Sequence, residues 1–239
     1  MRKGICYVCI PPEGDAVERF RSARESGFEG VELTFAEPGD GPLTLETTEG
    51  EAHRLTESAT SVGIELPSVM SGSALRTTPI LHPDPAVRDQ AVRNLERALE
   101  RTMWLGAGAV LVHPGQLRDN TRYDDAYAWT RDVLGSLRDA VDRTGVELLI
   151  ENVWNKFLLS PLEMRAIVDS VGHPSIGVYF DVGNIVLFGY PEQWVDILGR
   201  RIKRVHVKDF KRAVGSGVGF CQLLDGDANY PAVMRALRD

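Results

Sequence analysis

Short apolar runs alternate along this chain with longer amphipathic segments, and this alternation restricts the possible folds more than any other feature. Runs such as VELLI and IGVYF are nearly continuous in apolar or β-branched residues, as expected for parallel strands covered on both faces. Repeated βα units predict a parallel α/β architecture, either a closed barrel or an open doubly wound sheet. The seven strand-like runs are KGICYV, GVEL, ELPSVM, AVLVHPG, ELLIENV, IGVYFDVGN and IKRVHVKDF.

Three of the helices can be delimited from the spacing of their apolar residues. That spacing predicts a helix from Asp15 to Gly27, a second around Thr48 to Val62, and a third from about Asp84 to Leu105. Pro85 suits the first turn of the third helix, and Gly106 suits its end. These helices connect consecutive strands, as βα units require.

Polar residues close several of the strands and favour the barrel over the open sheet. A barrel assembles its active site from many strand ends. An open sheet often shows a glycine-rich turn after its first strand, and this chain has no such motif there. We therefore predict a TIM (β/α) barrel formed by residues 1–239 as a single domain, with residues 213–220 as a loop at the site. The strand-end residues are Glu32, His113, Glu151, Asp181 and His206.

Charge and composition restrict the partners. The net charge of −7, without a basic stripe, argues against a nucleic-acid partner. No stretch approaches 18 apolar residues and the first residues lack an export signal, so we expect a cytoplasmic protein without a membrane partner.

Cys6 and Cys9 lie three apart on the first predicted strand and would point to opposite faces, which predicts packing rather than a metal or redox pair.

Glu151, Asp181 and His206 are separated by about one βα unit each and should therefore lie at the same end of three consecutive strands. Any one of them alone could equally be a polar cap on its strand. Three in phase predict a shared site. Two carboxylates and one imidazole suit a divalent metal ion, Mn²⁺, Mg²⁺, Co²⁺ or Zn²⁺, with positions left open for substrate oxygens.

The stretches LIENVWN, YFDVGN and RVHVKDF, with GVEL and VHPG, resemble in order and spacing the sugar phosphate isomerase/epimerase family of xylose isomerase-like TIM barrels, near ketose 3-epimerases and pentulose 5-phosphate epimerases. The resemblance implies a metal held by Glu151, Asp181, His206 and a glutamate at the end of strand eight. It also implies that Glu151 is a catalytic base in proton transfer through a cis-enediolate. We expect an isomerase or epimerase of a small ketose or ketose phosphate. A lyase such as inosose dehydratase and an abasic-site endonuclease-like hydrolase are the alternatives.

Several further residues are candidates for binding the sugar or sugar phosphate. Asn184 and Arg212 occupy positions where ketose 3-epimerases contact substrate with a histidine and an arginine, so Arg212 matches that pattern and Asn184 departs from it. Lys208 belongs to an HVKD form that resembles enzymes of phosphorylated sugars, and it could neutralise a phosphate or simply be solvated. His113 could bind a hydroxyl or lie satisfied at the rim, and Trp154 could wall the pocket or pack under a loop.

The end of the chain departs from the resemblance. Seven strand signals are one fewer than a TIM barrel has, and residues 230–239 are predicted to form the helix after strand seven. We expect the last βα unit and its glutamate to be lacking, which would leave two open strand edges and a poorly active chain. A neighbouring chain of a homo-oligomer could close the gap. Glu32, otherwise expected to be an exposed carboxylate, or Asp209 would have to replace the missing glutamate.

Overall fold

The structure is a computed structural model and describes residues 2–73 and 75–238. Seven parallel strands form one sheet whose order follows the chain. Helices lie between successive strands, so the predicted barrel topology is confirmed. Among the described residues the barrel sheet has seven strands. The strands are β1 (Gly4–Cys6), β2 (Gly30–Thr34), β3 (Val69–Met70), β4 (Ala109–Val112), β5 (Glu147–Glu151), β6 (Ile176–Asp181) and β7 (Ile202–His206).

The three helices predicted from the sequence are present as α1, α2 and α3, and each begins and ends within two residues of its predicted bounds. Met1, Ala74 and Asp239, which belong to the predicted domain, lie outside the described residues. Among residues 2–73 and 75–238, no helix is both long and apolar enough to cross a membrane. The helices are α1 (Ala16–Glu25), α2 (Glu49–Ser61), α3 (Pro85–Trp104), α4 (Tyr123–Ser136), α5 (Arg138–Thr144), α6 (Pro161–Val171), α7 (Gly183–Val186), α8 (Pro191–Leu198) and α9 (Tyr230–Ala236).

Side-chain caps explain where several helices begin. The Asp15 carboxylate accepts a hydrogen bond from the backbone N–H of Glu18 at 2.9 Å, and the Glu18 carboxylate accepts one from the N–H of Asp15 at 3.0 Å. The same reciprocal pair opens α2 and α6. Each cap satisfies N–H groups that the helix itself cannot pair and contributes about 1 kcal/mol.

The hydrophobic core has two parts. The larger part lies between the sheet and the helices and includes the fully buried Phe20, Leu99 and Phe180. A small second cluster lies inside the sheet's concave face, where Leu149 and Tyr179 meet Ala109 and Leu111 of β4. Strands β4, β5 and β6 are therefore buried on both faces, which explains their nearly continuous apolar sequences.

The two ends of the sheet curl towards each other. The Sγ atom of Cys6, at the end of β1, lies 3.7 Å from Nε2 of His206, at the end of β7. A cavity of about 1040 Å³ lies beside these two strands and reaches Glu32, Ser68 and His206. The interior of the barrel is consequently open next to β1 and β7.

An irregularity in β7 sets the register at the site. The pairing of β6 with β7 shifts between Val178 and Tyr179, so that β7 carries one extra residue there. Beyond this bulge, Asp181 pairs with His206. A regular ladder would place Val205 opposite Asp181 instead, and the side chains of β7 would alternate in the opposite sense.

Two sequence predictions need correction. Strand β1 ends at Cys6 and residues 7–9 form a 3₁₀ turn, so Cys9 does not lie on the strand as expected. The run IKRVHVKDF is also divided, because β7 ends at His206. Asp209–Phe210 forms a separate strand, β8, antiparallel to β9 (Phe220–Cys221). Of the predicted loop, residues 213–219 lie between these strands, and Phe220 begins β9.

Candidate metal and substrate site

Glu151, Asp181 and His206 end β5, β6 and β7, and the structure brings them together as the sequence predicts. The Nδ1 atom of His206 lies 3.3 Å from Glu151 Oε1 and 3.9 Å from Asp181 Oδ2. One possible ligand atom of each residue lies within 4.8 Å of the others. Both carboxylates are buried, Asp181 completely. Three potential ligands from three neighbouring strands therefore converge on one point.

The carboxylate of Asp181 is incompletely satisfied. Its Oδ1 accepts a hydrogen bond from the N–H of Asn184 at 2.9 Å. Within the described residues its buried Oδ2 accepts no hydrogen bond, although Lys208 Nζ lies 2.9 Å away and forms an ion pair with it. Burial raises the pKa of Asp181 to about 6, against the opposing charge of Lys208 and with a contribution from Glu151. A buried carboxylate oxygen that faces an ammonium group, beside a second carboxylate and an imidazole, lies in a setting that fits a divalent cation.

Nε2 of His206 faces a different environment, centred on Glu32. Glu32 Oε1 lies 2.7 Å from Nε2 and 3.4 Å from the thiol of Cys6. Its Oε2 accepts hydrogen bonds from Ser68 Oγ at 2.7 Å and from the Tyr179 hydroxyl at 2.5 Å. Glu32 is 4% exposed, so the expectation of an exposed carboxylate is wrong. That face of β2 points into the barrel, where neighbouring strands supply donors.

We call Glu151, Asp181 and Lys208 the outer cluster, and Cys6, Glu32, Ser68 and Tyr179 the inner cluster. Burial alone would raise the pKa of Glu32, but the hydrogen bond and charge of His206, with Tyr179 and Ser68, hold it below its usual value. The pKa of His206 is raised although burial opposes this, because Cys6, Glu151 and Glu32 stabilise its protonated form. The imidazole therefore separates two sets of acidic groups.

Asn152 aligns Glu151 with Asp181. Its side-chain amide donates to the backbone carbonyl of Asp181 at 2.8 Å and accepts from the N–H of Asp181 at 2.8 Å. This pair extends the contact between β5 and β6 beyond the ends of the strands. Asn184 donates from its own amide to the carbonyl of Asn152 at 2.9 Å. The buried side chain of Asn184, predicted to bind substrate, is thus already engaged with protein groups.

Trp154 belongs to an aromatic group beside the outer cluster. Its indole N–H donates to the carbonyl of Asn184 at 2.8 Å. Its ring packs against Phe188, Phe210 and Phe220 with centroid distances of 5.5, 5.1 and 5.1 Å. The ammonium of Lys208 lies 5.2 Å from the centroid of Phe220. Trp154 and Lys208 therefore lie on the same side of the site.

His113 lies at the rim near the end of β4. Its ring is exposed, and Nδ1 accepts a hydrogen bond from the N–H of Gly115 at 3.3 Å. Protein groups around the ring and the positive charges of Arg76 and Lys208 lower the pKa of His113. His113 therefore lies at the rim within the electrostatic influence of Arg76 and Lys208.

Arg212 is not brought to the outer cluster. It is exposed, its backbone N–H donates to the Asp227 carboxylate at 2.7 Å, and its guanidinium donates to the Asp227 carbonyl at 3.3 Å. Asp209 is also engaged elsewhere. Its buried carboxylate accepts from four backbone N–H groups, those of Phe210, Leu224, Gly226 and Ala228, and so fixes the loop that follows β7.

Sequence reasoning missed Asn152, Ser68 and Tyr179. A signal existed for Tyr179, because residues two apart on a strand share a face and Asp181 was already placed in the barrel. Asn152 directly follows a predicted ligand, but its contacts with β6 depend on the register. Ser68 precedes a two-residue strand that has no clear pattern of its own.

Comparison with known proteins identifies the family. Residues 20–239 match the family described as the xylose isomerase-like TIM barrel. The chain belongs to this family. A similar curated protein is the L-ribulose-5-phosphate 3-epimerase UlaE of Salmonella typhi, 26% identical over 218 residues, which are 91% of this chain and 76% of that protein.

Similar solved structures confirm the fold. D-psicose 3-epimerase, crystallised in the presence of D-fructose, has a TM-score of 0.81 at 19% identity, with 100% of this chain and 81% of that chain covered. The IOLI protein with a bound zinc atom has a TM-score of 0.77 at 15% identity, with 100% and 84% covered. The expected family and the expected class of enzyme, a sugar isomerase or epimerase, are confirmed.

Proposed function

We propose that this protein is a divalent-metal-dependent epimerase that acts on a small ketose or ketose phosphate. The observation that carries the proposal is the convergence of Glu151, Asp181 and His206 around a buried Asp181 oxygen that already faces one cation, the ammonium of Lys208. The relatives named as ketose and ketose-phosphate 3-epimerases support the reaction class. Glu151, Asp181 and His206 would hold the metal ion, which would supply positive charge where oxygens of the substrate become negative.

Glu151 is the proposed base. A C–H group next to a carbonyl is a weak acid, so its proton is removed only by a group held close to it. Asn152 fixes the end of β5 against β6 and thereby limits the movement of Glu151. Removal of this proton yields a cis-enediolate of the sugar. Return of a proton from solvent water to the opposite face of the same carbon would complete the epimerisation, since Glu32 and Asp209, the candidates for a second acid, are held by other donors.

Lys208 and Trp154 are the proposed substrate contacts. The side chain of Lys208 is 45% exposed, so its ammonium can move away from Asp181 and contact an anionic group of the substrate. Trp154 and Phe220 present apolar ring surface on the same side, which suits the C–H face of a sugar. His113 at the rim would contact a hydroxyl group. Asn184, by contrast, would orient Asp181 and Lys208 through its existing contacts.

Deuterium exchange tests the proposal. Protein loaded with Mn²⁺ would be incubated in D₂O with L-ribulose 5-phosphate or D-fructose, and NMR would follow the hydrogen on C3. We expect deuterium at C3 and slower formation of the 3-epimer, because Glu151 serves only one face of the carbon. EDTA should abolish both, and added Mn²⁺ should restore them. Loss of water from the sugar instead of epimerisation would favour the lyase. Absence of exchange with metal-loaded protein and both substrates would contradict the proposal.

A further inference from the structure

The position of His206 raises a question about how its ring is held. His206 ends β7, and β7 lies at one end of the sheet. In the described residues, β6 is its partner in the sheet. The ring contacts Tyr179 with a centroid distance of 4.4 Å, but this packing alone does not decide which nitrogen carries a proton. A directional contact on the other side is needed.

Glu32 provides such a contact from the other end of the sheet. It lies on β2, 174 residues away from His206 in sequence, and its Oε1 is 2.7 Å from Nε2. The carboxylate is itself immobilised, because Ser68 and Tyr179 donate to Oε2. A fixed acceptor thus faces one nitrogen of the ring, while the other nitrogen faces the outer cluster.

We infer that Glu32 is a positioning residue that sets the orientation and the tautomer of His206. Glu32 can only accept here, so Nε2 carries the hydrogen of this contact, and Nδ1 is the nitrogen that faces Glu151 and Asp181. A metal ion at the outer cluster would take the place of any hydrogen on Nδ1 and meet its lone pair. Histidine ligands of metals commonly use a carboxylate in this way, through the nitrogen that does not bind the metal. The inference rests on the proposed metal site.

The same contacts argue against the inner cluster as the metal site. Both oxygens of Glu32 are already occupied by donors, and a cation between Cys6, Glu32 and His206 would have to displace the hydrogen bond to Nε2. At the outer cluster a cation would displace only the ammonium of Lys208 from Asp181 Oδ2, and the side chain of Lys208 is 45% exposed and can move aside. One histidine nitrogen therefore serves the outer cluster while the other holds the ring.

The test compares Glu32→Gln with Glu29→Gln. Glu29 lies just before β2 and its side chain is 43% exposed, so its substitution removes the same charge without reaching His206. Titration calorimetry with Mn²⁺ should show about 10- to 100-fold weaker binding in Glu32→Gln and unchanged binding in Glu29→Gln. In the wild-type protein loaded with diamagnetic Zn²⁺, ¹⁵N NMR of the His206 imidazole should show the hydrogen on Nε2.

Three results would overturn the inference. The first is unchanged Mn²⁺ affinity in a folded Glu32→Gln variant. The second is a hydrogen on Nδ1 in the zinc-loaded wild-type protein, a measurement that stands even if Glu32→Gln does not fold. The third is the loss of one of two bound metal equivalents in both Glu32→Gln and Cys6→Ser, which would make these residues ligands. Failure of the proposed metal site would differ, because the wild-type protein itself would then bind no Mn²⁺.

Discussion

The two sides of the His206 imidazole carry similar side chains in opposite states. In the inner cluster, Glu32 receives four donors and is held below its usual pKa. In the outer cluster, Asp181 is more deeply buried, has one oxygen that is met by the ammonium of Lys208 and by no other donor in the described residues, and has a pKa raised to about 6. The difference shows that burial alone does not decide the role of a carboxylate. The supply of donors decides whether it is held in place or left able to bind.

If this comparison is correct, the largest effect on chemistry follows from the outer cluster. We expect Glu151→Gln to lower C3 proton exchange by at least about 100-fold, because an amide cannot accept the proton. Circular dichroism should show the wild-type fold. Glu147→Gln, at the other end of the same strand, is the control and should retain exchange. Near-normal exchange in Glu151→Gln would exclude it as the base.

The next effect concerns the metal ion. Asp181→Ala and His206→Ala each remove a proposed ligand, so both should weaken Mn²⁺ binding by more than the roughly 10- to 100-fold that is usual for a neighbour of a ligand. Calorimetry measures this directly. Affinity that is unchanged in both variants would show that the outer cluster is not the metal site.

A smaller effect is expected from Lys208. Lys208→Met removes an ammonium group, so it should raise KM for L-ribulose 5-phosphate by about 10-fold, which is the value of one charge-assisted hydrogen bond. KM for D-fructose, which lacks a phosphate, should change less. Lys211→Met, an exposed lysine of the same loop, serves as the control. An equal rise of KM for both sugars would show that Lys208 acts through its ion pair with Asp181 rather than by binding a phosphate.

The smallest effect should come from the inner cluster. Ser68→Ala removes one of the donors to Glu32 and should lower the free energy of unfolding by about 1 kcal/mol, with Mn²⁺ affinity nearly unchanged. Urea denaturation measures the first quantity. Ser58→Ala, an exposed serine on α2, should have less effect. A loss of metal affinity as large as that of Asp181→Ala would remove the distinction between the clusters.

The sequence was sufficient for the features that depend on position along the chain. The alternation of strands and helices, and the place of Glu151, Asp181 and His206 at strand ends, follow from periodicity and spacing. The burial of Glu32 could not be predicted, because its donors come from four other places in the chain. The role of Asp209 was missed for the same reason, since its partners are backbone groups of a later loop.

The bulge between β6 and β7 makes the site sensitive to insertions and deletions. A loop such as residues 213–219 can gain or lose a residue while the strands around it keep their pairing. The insertion of one residue into β7 between the bulge and His206, or the loss of one residue from β6 between Tyr179 and Asp181, would instead place Val205 opposite Asp181 and turn the imidazole of His206 to the other face. Engineered or natural variants of this barrel should therefore tolerate length changes in the loop, whereas the number of residues between the bulge and the ends of β6 and β7 should not vary.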